Sequence, residues 1–350
     1  MAPAAPPLQF LSPAWFSIVL GFAGLSLAWH RAMPLMGEAA EALALACGGV
    51  ALLVFVALAA ASVLRLQRHP GAWRDDRAHP VRHAFIAAIP VALILLATVS
   101  TALFGSTFVP PEARRSGVSP GWLQQVTGAV WGLGALSLIG VCVWVMRRWW
   151  LGNRAGGLQW QVLTPVLFIP VVGHVLVPLA GVPLGHAQWS AAQFGIGLLL
   201  WPVVLTLLLV RLATQGLWPE RLMPSTMILV APPAVIGVSA PLLGAPELLG
   251  WTSWGIALFM LLWVGGLLRR MTGQAFTIGH WAVSFPLAAL AALTLSLARP
   301  GDLMAVLGPL LLAFTSVVFV GLTLGTVRGL RQGTLLAPEP IATLLPVGPG

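Results

Sequence analysis

The chain has 350 residues, of which 58% are hydrophobic and only 8% charged, and its mean hydropathy is +0.93. A soluble globular domain carries about 25% charged residues, so the composition excludes a soluble enzyme, a disordered chain and a disulfide-based scaffold. All 18 basic residues are arginines, which face 9 acids for a net charge of +9. They fall in short clusters between apolar runs and form no basic face for a nucleic acid.

Windows free of Asp, Glu and Arg locate the membrane spans, because a helix needs about 20 apolar residues to cross the hydrocarbon core. They are 1–30, 42–64, 83–111, 116–146, 155–210, 222–246, 248–268, 271–298 and 303–327. The window 155–210 has room for two helices, and the run GVPLG at 181–185 predicts the turn between them. The sequence therefore predicts an all-α, polytopic membrane protein of ten transmembrane helices. We expect its channel domain to cover 12–330, with disordered tails at 1–11 and 331–350.

The arginines are divided unevenly between the two sides of the membrane. With ten spans, 14 lie on the side that holds both termini and 4 on the opposite side. Cytoplasmic loops carry the excess of arginine in membrane proteins. Both termini are therefore predicted to be cytoplasmic, with odd-numbered helices running outward and even-numbered helices running back.

Proline is concentrated in the odd-numbered helices, which hold eight prolines away from their ends, against two in the even-numbered helices (Pro202 and Pro309). The eight are Pro90, Pro165, Pro170, Pro178, Pro232, Pro233, Pro241 and Pro286. Each removes a backbone hydrogen bond, and in lipid the freed carbonyl must find protein or water in a cavity. We interpret the odd-numbered helices as the lining of a central path. The alternative is that proline is simply common in membrane helices.

The spans lack the residues that most membrane chemistry needs. No acid lies in a span core and no nucleophile or metal motif stands out, so we predict neither an enzyme nor a bound cofactor or metal. Ion-coupled carriers keep Asp, Glu or His inside the membrane, so the sequence favours passive passage of an anion or a neutral solute. His174 is the only ionisable group deep in a span. It is a candidate pore residue or, alternatively, a buried histidine bonded to a carbonyl that Pro170 frees.

Three segments carry a resemblance to a known family. They are SPAWFSIVLGFAGL at 12–25, ILVAPPA at 228–234 and FTIGHWAVSFP at 276–286. They resemble the tellurite-resistance/dicarboxylate transporter family, which includes the slow anion channels of plants. The resemblance implies five helical hairpins around a pore lined by the odd-numbered helices, and a homotrimer in which each protomer has its own pore. It also implies channel-like anion permeation, with small anions and membrane lipid as partners.

The same resemblance implies roles for individual residues. A phenylalanine of the ninth helix plugs the path in this family, which assigns the gate to Phe285. The alternative is that Phe285 packs between helices as ordinary core. The predicted pore-lining residues are Gly21, Pro90, Pro170, His174, Pro233 and Pro286, of which the last weakens the helix beside the gate. The chain departs from the family in having His280-Trp281 where two tryptophans are common, and Phe16-Ser17 where Phe-Gly is common.

The leading hypothesis is an anion channel or channel-like exporter with a phenylalanine gate, located in a bacterial inner membrane. The second is a secondary carrier for C4-dicarboxylates such as malate, or for oxyanions such as tellurite or sulfite. An exporter of toxic cations and a membrane scaffold without flux are further alternatives. Selectivity for anions would come from exposed backbone N–H groups and the partial positive charge at helix amino ends.

Overall fold

The computed structural model describes residues 7–115, 117–152, 154, 157–158, 160 and 163–337. All regular secondary structure within these ranges is helical, so the predicted all-α membrane fold is confirmed. In chain order the main helices are α1 (Pro13–Met36), α2 (Glu38–Arg68), α3 (Arg82–Thr107), α4 (Trp122–Leu151), α5 (Pro165–Gly181), α6 (Ala187–Gln215), α7 (Glu220–Leu243), α8 (Glu247–Gly265), α9 (Ile278–Leu297) and α10 (Met304–Arg331).

Nine of these helices, within the described ranges, are long and apolar enough to cross a membrane. The remaining one, α5, is a shorter apolar helix. It begins at Pro165 and alternates between 3-10 and α-helical turns. The predicted count of ten spans therefore depends on α5 and stays a prediction.

The even-numbered helices form the outside of the molecule. They have 19 to 31 residues each, and only 22 to 33% of their most apolar stretch is buried. The corresponding share is 56 to 78% for α1, α3, α7 and α9. Leucine and valine cover the exposed faces, for example Leu53, Leu199 and Val317. Such surfaces are stable only against lipid or another apolar partner, which agrees with the multi-pass membrane fold.

The odd-numbered helices pack against one another inside this outer layer. α1 contacts α3, α3 contacts α5, α5 contacts α7, α7 contacts α9, and α9 contacts α1 again. Each also packs on the even-numbered helix that follows it in the chain. The contacts therefore describe an inner ring of five helices, each paired with an outer helix.

Every odd-numbered helix is irregular near its amino end. α1, α5, α7 and α9 begin with 3-10 turns before the α-helix starts, and α3 begins with one short turn that is interrupted at residues 86 and 87. Prolines contribute to this irregularity, since Pro13, Pro165 and Pro224 lie in these turns and cannot donate a backbone hydrogen bond. The regular α-helical stretches start at Ser17, Ala88, Phe168, Ala231 and Ser284.

The loop between α2 and α3 is fixed by buried charges. It forms a short helix, Pro70–Ala78, whose Asp76 is fully buried. The Asp76 carboxylate lies 2.6 Å from Arg65 Nη1 and 3.2 Å from Arg82 Nη1. Arg65 Nε also donates to the Gln9 carbonyl at 3.0 Å. These contacts connect the amino-terminal segment, α2 and α3.

The tail segments contain more structure than the composition predicts. Within the predicted tail 1–11, Pro7–Phe10 form a 3-10 turn, and Arg65 holds this turn through the Gln9 carbonyl. Within 331–350, α10 ends at Arg331 and the Thr334 N–H donates to the Gly329 carbonyl at 3.0 Å. Ordered structure therefore begins before residue 12 and continues after residue 330. Residues 1–6 and 338–350 of the two predicted tails lie outside the described residues.

Candidate pore between the odd-numbered helices

Three cavities follow one another along the inner ring. The amino-side cavity of about 70 Å³ touches Ala14 on α1 and Ser225 on α7. The middle cavity of about 50 Å³ touches Leu20 and Ala231. The carboxyl-side cavity of about 200 Å³ is lined by all five odd-numbered helices or the turns that follow them, beginning at Gly24 on α1. Because the lining residues advance along each helix in the same order, the cavities lie in a row.

Phe285 lies between the middle and the carboxyl-side cavities and lines both. Its ring rests against α1 at Gly24, where a Cβ atom would lie 3.0 Å from Phe285 Cδ2 and 3.4 Å from Cε2. The side chain is only half-buried because its ring faces empty space on both sides. Leu176 and Val235 line the same two cavities. The stretch that the two cavities share is therefore lined by apolar side chains, one of which is the aromatic ring of Phe285.

The turn that precedes Phe285 is fixed on the side away from the cavities. The Trp281 indole N–H donates to Thr326 Oγ1 at 2.8 Å, and Ser284 Oγ donates to the Trp281 carbonyl at 2.6 Å. Trp281 is 1% exposed and contacts the rings of Phe22 and Phe319 at centroid distances of 5.6 and 5.8 Å. The backbone that carries the Phe285 ring is thus held by α1 and α10.

The other predicted pore residues lie elsewhere. Among the described residues, none of the following lines any of the three cavities: Gly21, Pro90, Pro170, His174, Pro233 and Pro286. Pro232 lines the middle cavity next to Pro233, and Gly24 lines the carboxyl-side cavity one turn after Gly21. The four prolines of this set are buried within their helices.

Gly21 and His174 have packing roles that their positions explain. A Cβ atom on Gly21 would lie 2.4 Å from Ser284 Oγ, so Gly21 permits the close approach of α1 and α9. His174 is fully buried, and its Nδ1 lies 2.8 Å from Gln193 Oε1 on α6. Gln193 Nε2 in turn donates to the Ala135 carbonyl on α4 at 3.3 Å. His174 therefore joins neighbouring helices through a side chain, whereas the sequence had suggested a carbonyl freed by Pro170.

The titratable side chains that line the cavities are arginines and histidines. Within the described part of the chain, no aspartate or glutamate lines any of the three cavities. Arg82, Arg221 and His79 line the amino-side cavity, and Arg31 lines the carboxyl-side cavity. Burial, together with the positive charges of Arg82, His83 and Arg221, lowers the pKa of His79 to about 4. The row of cavities thus disfavours a cation at both ends.

A comparison with known families decides the class of the protein. The sequence profile of the SLAC1 family, described as a voltage-dependent anion channel, matches residues 11–327. The chain belongs to the SLAC1 family. The resemblance deduced from the segments of α1, α7 and α9 is therefore confirmed, and the family supports anion transport across a membrane.

Individual relatives span bacteria and plants. The tellurite resistance protein TehA homolog of Haemophilus influenzae is 26% identical over 285 residues, covering 80% of this chain and 79% of the relative. The S-type anion channels SLAH2 and SLAH3 of Arabidopsis thaliana are each 23% identical over 223 residues, or 63% of this chain. The matched region spans 39% and 32% of these two longer proteins.

Proposed function

We propose that this protein is a passive anion channel or channel-like exporter whose path runs through the three cavities and is closed by Phe285. The observation that carries the proposal is the position of the Phe285 ring between two cavities, in a chain of the SLAC1 family. An aromatic ring across a narrow apolar passage blocks hydrated ions sterically and by dewetting. The two adjoining cavities provide the space into which the ring can turn.

Selectivity for anions is proposed to come from the absence of carboxylates and from the helix ends. The 3-10 turns at the amino ends of α1, α5 and α7 lie beside the amino-side cavity, which Ala14, Val166 and Ser225 line. A helix amino end carries about half a positive charge from its unpaired N–H groups. Such ends beside an apolar passage favour a small monovalent anion without binding it tightly.

Topology and assembly complete the proposal. With ten spans both termini lie on one side of the membrane, and the excess of arginine on that side supports a cytoplasmic location in a bacterial cell. The amino-side cavity would then face the cytoplasm. Three protomers form a homotrimer through lipid-exposed faces of the outer helices, and each protomer keeps its own pore. Small inorganic or organic anions are the permeating species.

The test compares Phe285→Ala with wild type in liposomes that carry gradients of chloride, nitrate, malate or tellurite. We expect the variant to raise the flux of small monovalent anions severalfold, because it removes the ring and leaves the backbone turn in place. Phe259→Ala is the matched control, since Phe259 on α8 is 62% exposed on the outer surface. Unchanged flux through folded Phe285→Ala protein, or an equal rise in Phe259→Ala, would reject the gate.

The second candidate is a carrier for C4-dicarboxylates or for oxyanions such as tellurite. It is favoured by the bacterial relative, which is described as a tellurite resistance protein and matches most of the chain. A carrier must expose a binding site alternately to each side, so its flux saturates and labelled substrate shows counterflow. A channel shows neither counterflow nor a fixed exchange ratio, and this difference separates the two candidates in the same liposomes.

A further inference from the structure

The amino-side cavity brings two arginines from separate parts of the chain to one place. Arg82 lies at the start of α3 and Arg221 near the start of α7, and both line the cavity. Both also lie close enough to His79 for their charges to lower its pKa. Ser12 and Thr277, which precede α1 and α9, lie in the same wall. The other two cavities contain no such pair of guanidinium groups.

Arg82 is held in position by the buried acid behind it. Asp76 is 0% exposed and binds Arg65 through one carboxylate oxygen and Arg82 through the other. Two arginines and one aspartate leave this group with a net charge of +1. The Arg82 side chain remains 24% exposed, and its guanidinium has five N–H groups. The pair with Asp76 therefore orients Arg82, and this group of three keeps a net positive charge.

His79 adds a neutral donor to the same wall. Its Nδ1 accepts the backbone N–H groups of Val81 and Arg82, each at 3.1 Å. Since Nδ1 is an acceptor in both bonds, the proton of the neutral ring is on Nε2. The imidazole consequently offers an N–H donor and no negative charge.

We propose that the amino-side cavity is a binding site for a small oxyanion, which Arg82 and Arg221 hold at the entrance of the path before it reaches Phe285. The inference rests on the proposed function and names the entry site and the ligand class. A planar guanidinium matches two oxygen atoms of a carboxylate or nitrate better than a spherical halide. A water needs about 10–15 Å³ of such space, so a cavity of about 70 Å³ admits one small oxyanion with few waters.

The experiment measures nitrate binding directly, by the rise in Tm of purified protein in detergent as nitrate replaces chloride at constant ionic strength. A ligand that binds only the folded state raises Tm as its concentration exceeds Kd, and constant ionic strength cancels screening. We expect Arg221→Gln to raise the half-saturating nitrate concentration tenfold or more. Arg270→Gln is the matched control, because Arg270 is an exposed arginine outside the cavities and should leave it unchanged.

Arg82→Gln is the second variant and should weaken nitrate binding in the same way if it folds. The site would be rejected if wild type and folded Arg221→Gln protein had the same half-saturating nitrate concentration. It would also be rejected if Arg270→Gln raised that concentration as much as Arg221→Gln does. Flux in the Phe285→Ala background separates this proposal from the previous one. Anion flux in Phe285→Ala with unaltered nitrate binding in Arg221→Gln rejects only the site. Nitrate binding that depends on Arg221, with no flux in Phe285→Ala, rejects only the channel.

Discussion

The contact between Gly24 and the Phe285 ring allows a direct test of the gate without removing the ring. In Gly24→Ala, the new methyl group would lie 3.0 Å from Phe285 Cδ2 and 3.2 Å from the Ala288 Cβ atom. Carbon atoms pack at about 3.5–4.0 Å, so the ring must move by roughly half an ångström or more. Keeping the ring in place would cost about 1–3 kcal/mol in overpacking, whereas turning it off its rotamer costs about 0.5–1.5 kcal/mol.

Turning the ring relieves the closer contact at lower cost, and the contact with Ala288 Cβ is relieved by a shift of a few tenths of an ångström between α1 and α9. Both responses destabilise the closed position of the ring, so Gly24→Ala should favour the open passage. If Gly24→Ala destabilises the closed position of the ring by about 1 kcal/mol, the ratio of open to closed rings rises roughly fivefold, since 1.4 kcal/mol corresponds to tenfold. The assay is nitrate flux into liposomes. Gly49→Ala on α2 is the control, because it gains the same helix propensity of about 1 kcal/mol and its methyl group meets nothing within 4 Å.

A double-mutant cycle with Phe285→Ala identifies the cause of any change. The methyl group acts through the ring, so Gly24→Ala should have little further effect once the ring is gone, which makes the two changes non-additive. If Gly24→Ala lowers flux equally in both backgrounds, the methyl group itself narrows the passage and the reasoning fails. If Gly49→Ala raises flux as much as Gly24→Ala, the effect is a general one on helix stability.

Three further predictions concern the support of the path. His79→Asn should make the fall in Tm between pH 6.5 and about 4 less steep. Because burial lowers the pKa of His79 to about 4, the unfolded chain takes up a proton in this range that the folded protein does not, and stability falls with pH. Asn does not titrate and can still accept the backbone N–H groups. Asp76→Asn should lower the stability in detergent by about 3–5 kcal/mol, since it breaks a buried ion pair; the exposed neighbour Asp75→Asn is its control. Thr326→Val should lower the free energy of unfolding by about 1–3 kcal/mol, because it leaves the buried Trp281 indole N–H unpaired. Thermal unfolding of the variant and of the wild type measures this loss.

The excess of prolines in the odd-numbered helices predicts which helices pack inside, because prolines disturb helical hydrogen bonds wherever their rings point. The excess holds only for the group: α5 and α7 have three of these prolines each, whereas α3 and α9 have one each, as α6 and α10 do. The direction of a side chain requires the rotation of each helix about its axis, which the sequence leaves open. Pro90 and Pro233 therefore mark helices of the inner ring and yet do not line its cavities.

Two glycines of α1 also show that the sequence does not reveal which side of a helix faces which neighbour. Gly21 and Gly24 are three residues apart on α1, and both suit a close approach. Only the packing shows that Gly21 faces Ser284 and Gly24 faces the Phe285 ring. Contacts between segments that lie far apart in the sequence are even harder to predict. Arg82 and Arg221 lie near the starts of different helices, α3 and α7, and the sequence interprets each arginine only as a marker of topology. Their meeting in one cavity is visible only in the fold.

If Phe285 closes the passage as proposed, its ring needs more than its own rotamer preference to stay in place. A rotamer change of about 1.5 kcal/mol or less would by itself leave the ring turned aside for several per cent of the time or more, since 1.4 kcal/mol is a factor of ten. Tighter closure must come from the contact of the ring with α1 and from the turn that Trp281 fixes. Gly21 allows α1 to approach Ser284 on α9. The spacing of α1 and α9 therefore determines both the contact of the Phe285 ring with α1 and the packing of the turn before it. Any stimulus that opens the proposed gate would therefore act most effectively by separating these two helices.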